Sequence, residues 1–277
     1  MPELELRGAG GEPVDLRRTI VSHGLTDLLP LRRADDARSF EARLPEGTVR
    51  VREGGPGRAR VDGPPAALPV VRRMLRLDED LSQFYELIRD DPLVGWATNG
   101  AGRLLRSPTV FEDVVKTICT TNCAWSGTVR MTTALVEELG GGAFPAPAAM
   151  AAAPDDFYRD VARAGYRGPY LRAVAAGVAD GTIDLEGLGD PELPDEEVER
   201  RLLALPGVGP YAAAHVMLLI GRYRPLVLDS WTRPTYARLN GGKKLSDAQI
   251  TRRFRRYGDY AGLAFWLFLT RDWVPES

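Results

Sequence analysis

The hydrophobic period of the chain changes near residue 78, and this change limits the fold more than any other feature. Before it, FEARL (40–44), TVRVRE (48–53) and RARVDG (58–63) alternate apolar and polar residues between PEG and GGPG turn signals. That is the period-two pattern of half-buried antiparallel strands. With DLRRTIVSHG (15–24) upstream, a small antiparallel sheet is expected, with 68–77 as a short helix leaning on it. Beyond residue 78 the spacing is helical. Leu81, Phe84, Tyr85 and Ile88 fall at i, i+3, i+4 and i+7, and Phe111, Val114, Val115 and Ile118 repeat the stripe after Ser107-Pro108, read as N-cap and first helical residue.

Further helices are expected over 127–139, stopped by Gly140-Gly141-Gly142, and near 155–164 and 169–180 after a Pro/Ala-rich connector. DPELPDEEVER (190–200) places carboxylates at the positive end of another. Ser246 and Gln249 have capping-box spacing, and 260–270 reads as a last, apolar helix. The expected fold class is α+β: an antiparallel β-rich lobe over 1–77 and a helical body over 78–277. Within the body, 78–105 and 201–277 are expected to pack around 106–200 as two helical subdomains.

Composition removes several function classes. No apolar run approaches the ~20 residues of a membrane span, and no basic-then-apolar leader opens the chain, so a cytoplasmic, membrane-free monomer is expected. Two cysteines make no disulfide framework and cannot alone hold zinc or an iron–sulfur cluster. The net charge of −2 hides an asymmetry, because residues 201–277 carry 12 Lys or Arg against 5 Asp or Glu. A basic C-terminal surface suits phosphates, although a solvated helical face reads the same way.

Within that region, RLLALPGVGPYAAAHVMLLIGRYRPLVLDSW (201–231) is helix, Pro206-Gly207-Val208-Gly209, helix. Two glycines permit a tight hairpin whose N–H groups face outward at a helix N-terminus, a cradle for a backbone phosphate. Asp229 follows Gly209 by twenty residues and is either an N-cap for the helix beyond it or a functional carboxylate.

The hairpin and its spacing to Asp229 resemble the helix-hairpin-helix (HhH-GPD) DNA glycosylase superfamily. FEDVVKTICTTNCAWSGTVRM (111–131), ARAGYRGPYLRAVA (162–175) and DYAGLAFWLFL (259–269) resemble further stretches of it, in order. The resemblance runs closest to 8-oxoguanine glycosylases and 3-methyladenine DNA glycosylase II, without the iron–sulfur loop, since the chain ends TRDWVPES. It implies an enzyme that extrudes a damaged base from double-stranded DNA and hydrolyses its N-glycosidic bond. Pro206, Gly207, Val208 and Gly209 would hold the phosphate, and the carbonyls of Leu203, Leu205 and Val208 would share a monovalent cation, no other cofactor being required. Asn122 would fill the gap left by the base, and Asp229 would stabilise the sugar cation and orient the attacking water.

Two positions depart from the 8-oxoguanine pattern. Tyr211 stands where bifunctional members carry the Schiff-base lysine, which implies monofunctional hydrolysis. Phe265 stands where those members carry the base-reading glutamine, and can line the base pocket or the core. Together they imply an alkylated base stacked on aromatic rings. Oxidised purines, deaminated bases and a non-catalytic damage-binding module are the alternatives. Trp231 is read as pocket or helix packing, Trp125 as pocket, packing or intercalating wedge, and Arg106, Arg130 and Arg233 as phosphate contacts. Cys119, Cys123 and His215 are read as buried core.

Overall fold

A computed structural model describes residues 2–274. Five strands form one antiparallel sheet in the order β1-β5-β4-β3-β2. They are β1 (Glu3–Glu5), β2 (Leu31–Arg33), β3 (Ser39–Leu44), β4 (Gly47–Glu53) and β5 (Arg58–Asp62). The register sets Phe40 opposite Val51 and Ala42 opposite Val49, so one face is apolar and buried. The other face carries ion pairs across neighbouring strands, Arg50–Glu41 and Arg60–Glu3 among them. Segment 15–24, expected to extend the sheet, instead forms helix α1 (Leu16–Ile20), because the Asp15 carboxylate accepts the Arg18 N–H at 2.9 Å and starts a turn. Helix α2 (Ala67–Met74) buries Ala67, Val71 and Met74 against the apolar face of the sheet.

The helical body follows with α3 (Ser82–Ile88), α4 (Val110–Thr120) and α5 (Trp125–Ala134), which runs on through a π-turn, Leu135–Leu139, to Gly140. Helix α4 begins two residues later than expected. Thr109, not Ser107, is its N-cap, accepting the Glu112 N–H, and Glu186 accepts the Val110 N–H at 2.7 Å. Next come α6 (Pro147–Ala152), α7 (Arg167–Ala179), α8 (Asp195–Leu203), α9 (Pro210–Leu219), α10 (Thr232–Leu239), α11 (Asp247–Phe254) and α12 (Ala261–Thr270). The helix expected over 155–164 is a shorter helical segment over 155–161, most of it the π-turn Phe157–Val161. Ser246 and Gln249 close the capping box in front of α11. The helical body expected over 78–277 extends into residues 275–277, outside the described residues.

Two cores hold the helices. One gathers α4 to α8, and the other gathers α3 with α10, α11 and α12. Helix α9 belongs to both. It turns Ala212, Ala213, Val216 and Met217 to the first and Ala214, Leu218 and Leu219 to the second. A helix apolar on all sides must be buried on all sides, so α9 is the shared axle and its N-terminal hairpin emerges between the two cores.

Candidate active site

Where α9 emerges, a cleft of about 530 Å³ opens between the cores. Asn122, Gly207, Gly209, Tyr211 and Asp229 all line it, although they are separated by more than a hundred residues of sequence.

The hairpin joining α8 to α9 is shaped by two different glycine requirements. Gly207 has φ +79, and a Cβ there would lie 2.8 Å from Tyr170 Cδ2. A side chain is therefore excluded twice, by backbone and by neighbour. Gly209 has open space around it and caps α9 ahead of Pro210. Among the described residues the N–H groups of Gly207 and Gly209 donate to nothing within the chain, while Val208 donates to the Leu205 carbonyl at 3.2 Å. Val208 and Leu205 bury their side chains in the core. Pro206 is half-buried in the turn and does not line the cleft. The carbonyls of Leu203 and Val208 likewise accept no hydrogen bond among the described residues.

Asp229 holds the start of the helix beyond it and also lines the cleft. Its Oδ1 accepts the N–H groups of Trp231 at 2.8 Å and Thr232 at 2.6 Å, which starts α10, and Thr232 Oγ1 accepts the Asp229 N–H at 2.8 Å. Its Oδ2 accepts no hydrogen bond among the described residues. One oxygen thus fixes the carboxylate while the other remains free at the cleft. Tyr211, half-buried, shares a hydrogen bond of 3.1 Å with Thr120 Oγ1. Burial pushes its phenol up, helped by the Asp229 charge.

Asn122 stands in the turn between α4 and α5 with φ +43, a conformation asparagine tolerates better than most residues. Arg167 at the start of α7 holds this turn. Its guanidinium donates from Nε to the Thr121 carbonyl at 3.0 Å and from Nη2 to the Asn122 carbonyl at 2.9 Å. Tyr166 accepts the Asn122 amide at 3.3 Å and packs edge-on against Tyr170, with ring centroids 6.1 Å apart. Tyr166, Tyr170 and Thr120 line the cleft and were not named as site residues from sequence. They sit inside stretches already singled out, but nothing in their own spacing marks them.

Several expectations are corrected. Phe265 is fully buried, packed edge-to-face on Phe254 at 5.1 Å and against Tyr236, because α12 is apolar all round and packing decides which face meets which core. It belongs to the core and not to the pocket. Trp231 and Trp125 do not line the cleft. Trp231 packs on Trp266 and Trp273, and Trp125 lies beside Gly24 of the N-terminal lobe. Arg106 lines a different concavity with Arg73, Arg76 and Arg222. Arg233, by contrast, does line the cleft, where Asp247 holds it bidentate at 2.8 and 2.9 Å. Arg130 is exposed on α5. Cys119 and His215 are buried as expected, and Cys123 is half-buried at the cleft wall.

This sequence matches no family model and no curated protein. Solved structures do match. MBOgg1 in complex with a low-affinity DNA ligand superposes with TM-score 0.75 at 23% identity, over 94% of this chain and 93% of the other. The 3-methyladenine DNA glycosylase from Archaeoglobus fulgidus gives 0.73 at 20% identity, over 99% and 100%. The fold is that of the helix-hairpin-helix DNA glycosylases. The 8-oxoguanine glycosylase/lyase of Clostridium acetobutylicum gives 0.70 at 21% identity, over 90% of this chain and 93% of that one.

Proposed function

We propose that the protein is a monofunctional DNA glycosylase that removes a damaged, alkylated base from duplex DNA. The observation that carries this reading is Asp229, a carboxylate fixed by two backbone N–H groups through one oxygen and open to the cleft through the other. In the same cleft lie hairpin N–H groups unpaired among the described residues and an exposed asparagine on a turn held by Arg167. The exposed hairpin tip would take a backbone phosphate on Gly207 and Gly209. Carbonyl oxygens of Leu203, Leu205 and Val208 are a hard, neutral donor set suited to a monovalent cation, which when bound would offset phosphate charge. Asn122 would occupy the space left in the base stack.

The bond from the sugar C1′ to the base nitrogen breaks, and its electron pair leaves with the base. The carboxylate of Asp229 faces the positive charge that develops on the sugar, and Oδ2 accepts a proton from the water that attacks C1′. The products are a free base and an abasic site. A base carrying positive charge leaves readily and stacks well on the Tyr211 ring. The chain has three lysines, and none of them lines the cleft. Lys116 is buried and paired with Glu112 at 2.7 Å, and Lys243 and Lys244 sit in an exposed loop. An amine for a lyase step is therefore out of place.

A panel of duplexes, each with one alkylated, oxidised or deaminated base, tests the reading when every digest is split and half treated with hot alkali. Strand cleavage only after alkali, strongest for an alkylated purine, is the expected result. Cleavage without alkali would overturn the monofunctional assignment. Tight binding with no excision anywhere would leave a damage-binding module instead.

A further inference from the structure

The surface built from α10, α11 and the loop between them carries charge of one sign. Residues 238–256 include seven Lys or Arg and one Asp or Glu, and that one, Asp247, is already held by Arg233. Many exposed arginines elsewhere meet a carboxylate: Arg60 meets Glu3, Arg200 and Arg201 share Glu197, and Arg224 meets Asp259. Here Arg256 alone does so, reaching Asp91 at 2.9 Å. Arg253 donates to neutral oxygens, Tyr236 Oη at 3.0 Å and Asn240 Oδ1 at 2.7 Å, which ties α11 to the root of the loop without offsetting charge. Arg238, Lys243, Lys244, Arg252 and Arg255 are exposed with no acidic partner among the described residues. Like charges gathered on one face repel, and a row of anions from outside would relieve that repulsion.

The loop stands clear of the molecule. Gly241 and Gly242 have nothing within 4 Å of an added β-carbon, so Lys243 and Lys244 leave from a turn open to solvent. On α11, Ile250 and Phe254 face the core, which leaves Arg252 and Arg255, three residues apart, together on the solvent side. The patch also borders the cleft. Arg233 lines the cleft and is bonded to Asp247, and Lys244 precedes Asp247 by three residues, a reach of at most about 11 Å of chain. Each strand of a duplex places a phosphate every ~3.4 Å of axis, so that reach is about three base pairs.

Resting on the glycosylase reading above, we infer that this surface binds the backbone of the same duplex on one side of the lesion, about three base pairs from the extruded base. A duplex seated in the cleft has its charged backbone running outward past this edge, and that continuity favours it over an acidic protein. The hairpin at Gly207 and Gly209 grips near the lesion, while Lys243, Lys244 and Arg252 grip the flank. The footprint is therefore lopsided, and the added contact reads no sequence because it meets phosphates only.

The test compares wild-type protein with Lys243→Gln/Lys244→Gln/Arg252→Gln, which alters three exposed side chains that make no hydrogen bond among the described residues. Affinity for a duplex with a central tetrahydrofuran abasic site is measured between about 50 and 200 mM salt. Wild-type affinity is expected to fall about 40-fold more across that range than the variant's, the effect of three phosphate contacts at a slope of ~0.9 each. Shortening one flank to about two base pairs should reproduce the loss in wild-type protein, while shortening the other should not, and the variant should be indifferent to the first. Single-turnover excision with protein in saturating excess should stay within about twofold, because the patch lies outside the cleft. A variant with wild-type salt dependence would overturn the inference. So would wild-type binding that is equally sensitive to shortening on either side, which would mean that the duplex does not reach the patch. Wild-type protein that excises no base from any lesion would instead overturn the parent reading, and this inference with it.

Discussion

At Asp229 the capping oxygen and the free oxygen can be separated by mutation. In Asp229→Asn the amide oxygen still accepts the Trp231 and Thr232 N–H groups, and asparagine caps as well as aspartate. The thermal midpoint should stay within error while excision falls at least ~100-fold, the scale of losing a preorganised electrostatic contact. Asp229→Ala removes both functions and should in addition lose about 1 kcal/mol of stability, read by urea titration. Equal stability of the two variants would show that the cap contributes nothing. Arg167 is tested at the same scale. Lysine keeps its charge but loses the fork that spans the Thr121 and Asn122 carbonyls. Arg167→Lys should weaken abasic-duplex binding and excision in parallel by about tenfold, or roughly 1.4 kcal/mol. A change in excision alone would place Arg167 in the chemistry rather than in the turn.

Among the elements, the α8–α9 hairpin carries the firmest prediction. Gly207→Ala forces a β-carbon into the left-handed region and onto the Tyr170 ring. It should cost about 1–2 kcal/mol of stability and flatten the salt dependence of duplex binding, as a phosphate contact is lost. A variant with wild-type salt dependence would mean the hairpin does not grip the backbone. This hairpin was legible in sequence because glycine spacing and helix periodicity are local, and the same holds for α3, α8 and the capping box at Ser246. The start of α4 was not. Ser107-Pro108 has good local grammar, but Glu186, about seventy-six residues further on, supplies the acceptor that fixes the start at Val110. Phe265 was left open between pocket and core for a related reason, since a helix without a polar face gives no signal for its own rotation. Tyr166, Tyr170 and Arg167 escaped notice because only the packing of α7 beside the Asn122 turn gives them a role.

Considered as a whole, the molecule buries two neutral histidines where its lobes meet, and its acid stability should show it. Desolvation lowers His23 to about 3, with His215, Lys116 and Arg76 adding repulsion, and lowers His215 to about 4 against the pull of Asp229. Unfolded, each titrates near 6.5. Above that both states are neutral and the histidines contribute no slope. As pH falls below 6.5 the unfolded chain takes up protons that the folded chain refuses, so stability drops by about 1.4 kcal/mol per histidine per pH unit. The loss runs to about pH 4 for His215 and about pH 3 for His23. Glu112 and Asp113, raised by burial, oppose it over part of that range. The slope of stability against pH, compared between wild type and His23→Gln, isolates one histidine. The variant should be the flatter between pH 6 and 4.5, and equal slopes would refute the account.

The edge-on pair Tyr166 and Tyr170 has a mechanical consequence. One ring is hydrogen-bonded to Asn122 and the other fills the space above Gly207. A displacement of the hairpin is thereby transmitted through two touching rings to the turn that bears the asparagine. Under the proposed function, grip on the strand and probing of the stack would be geared together. A protein travelling along a duplex on this pair of contacts would test the firmness of each base step at the same instant as it takes hold.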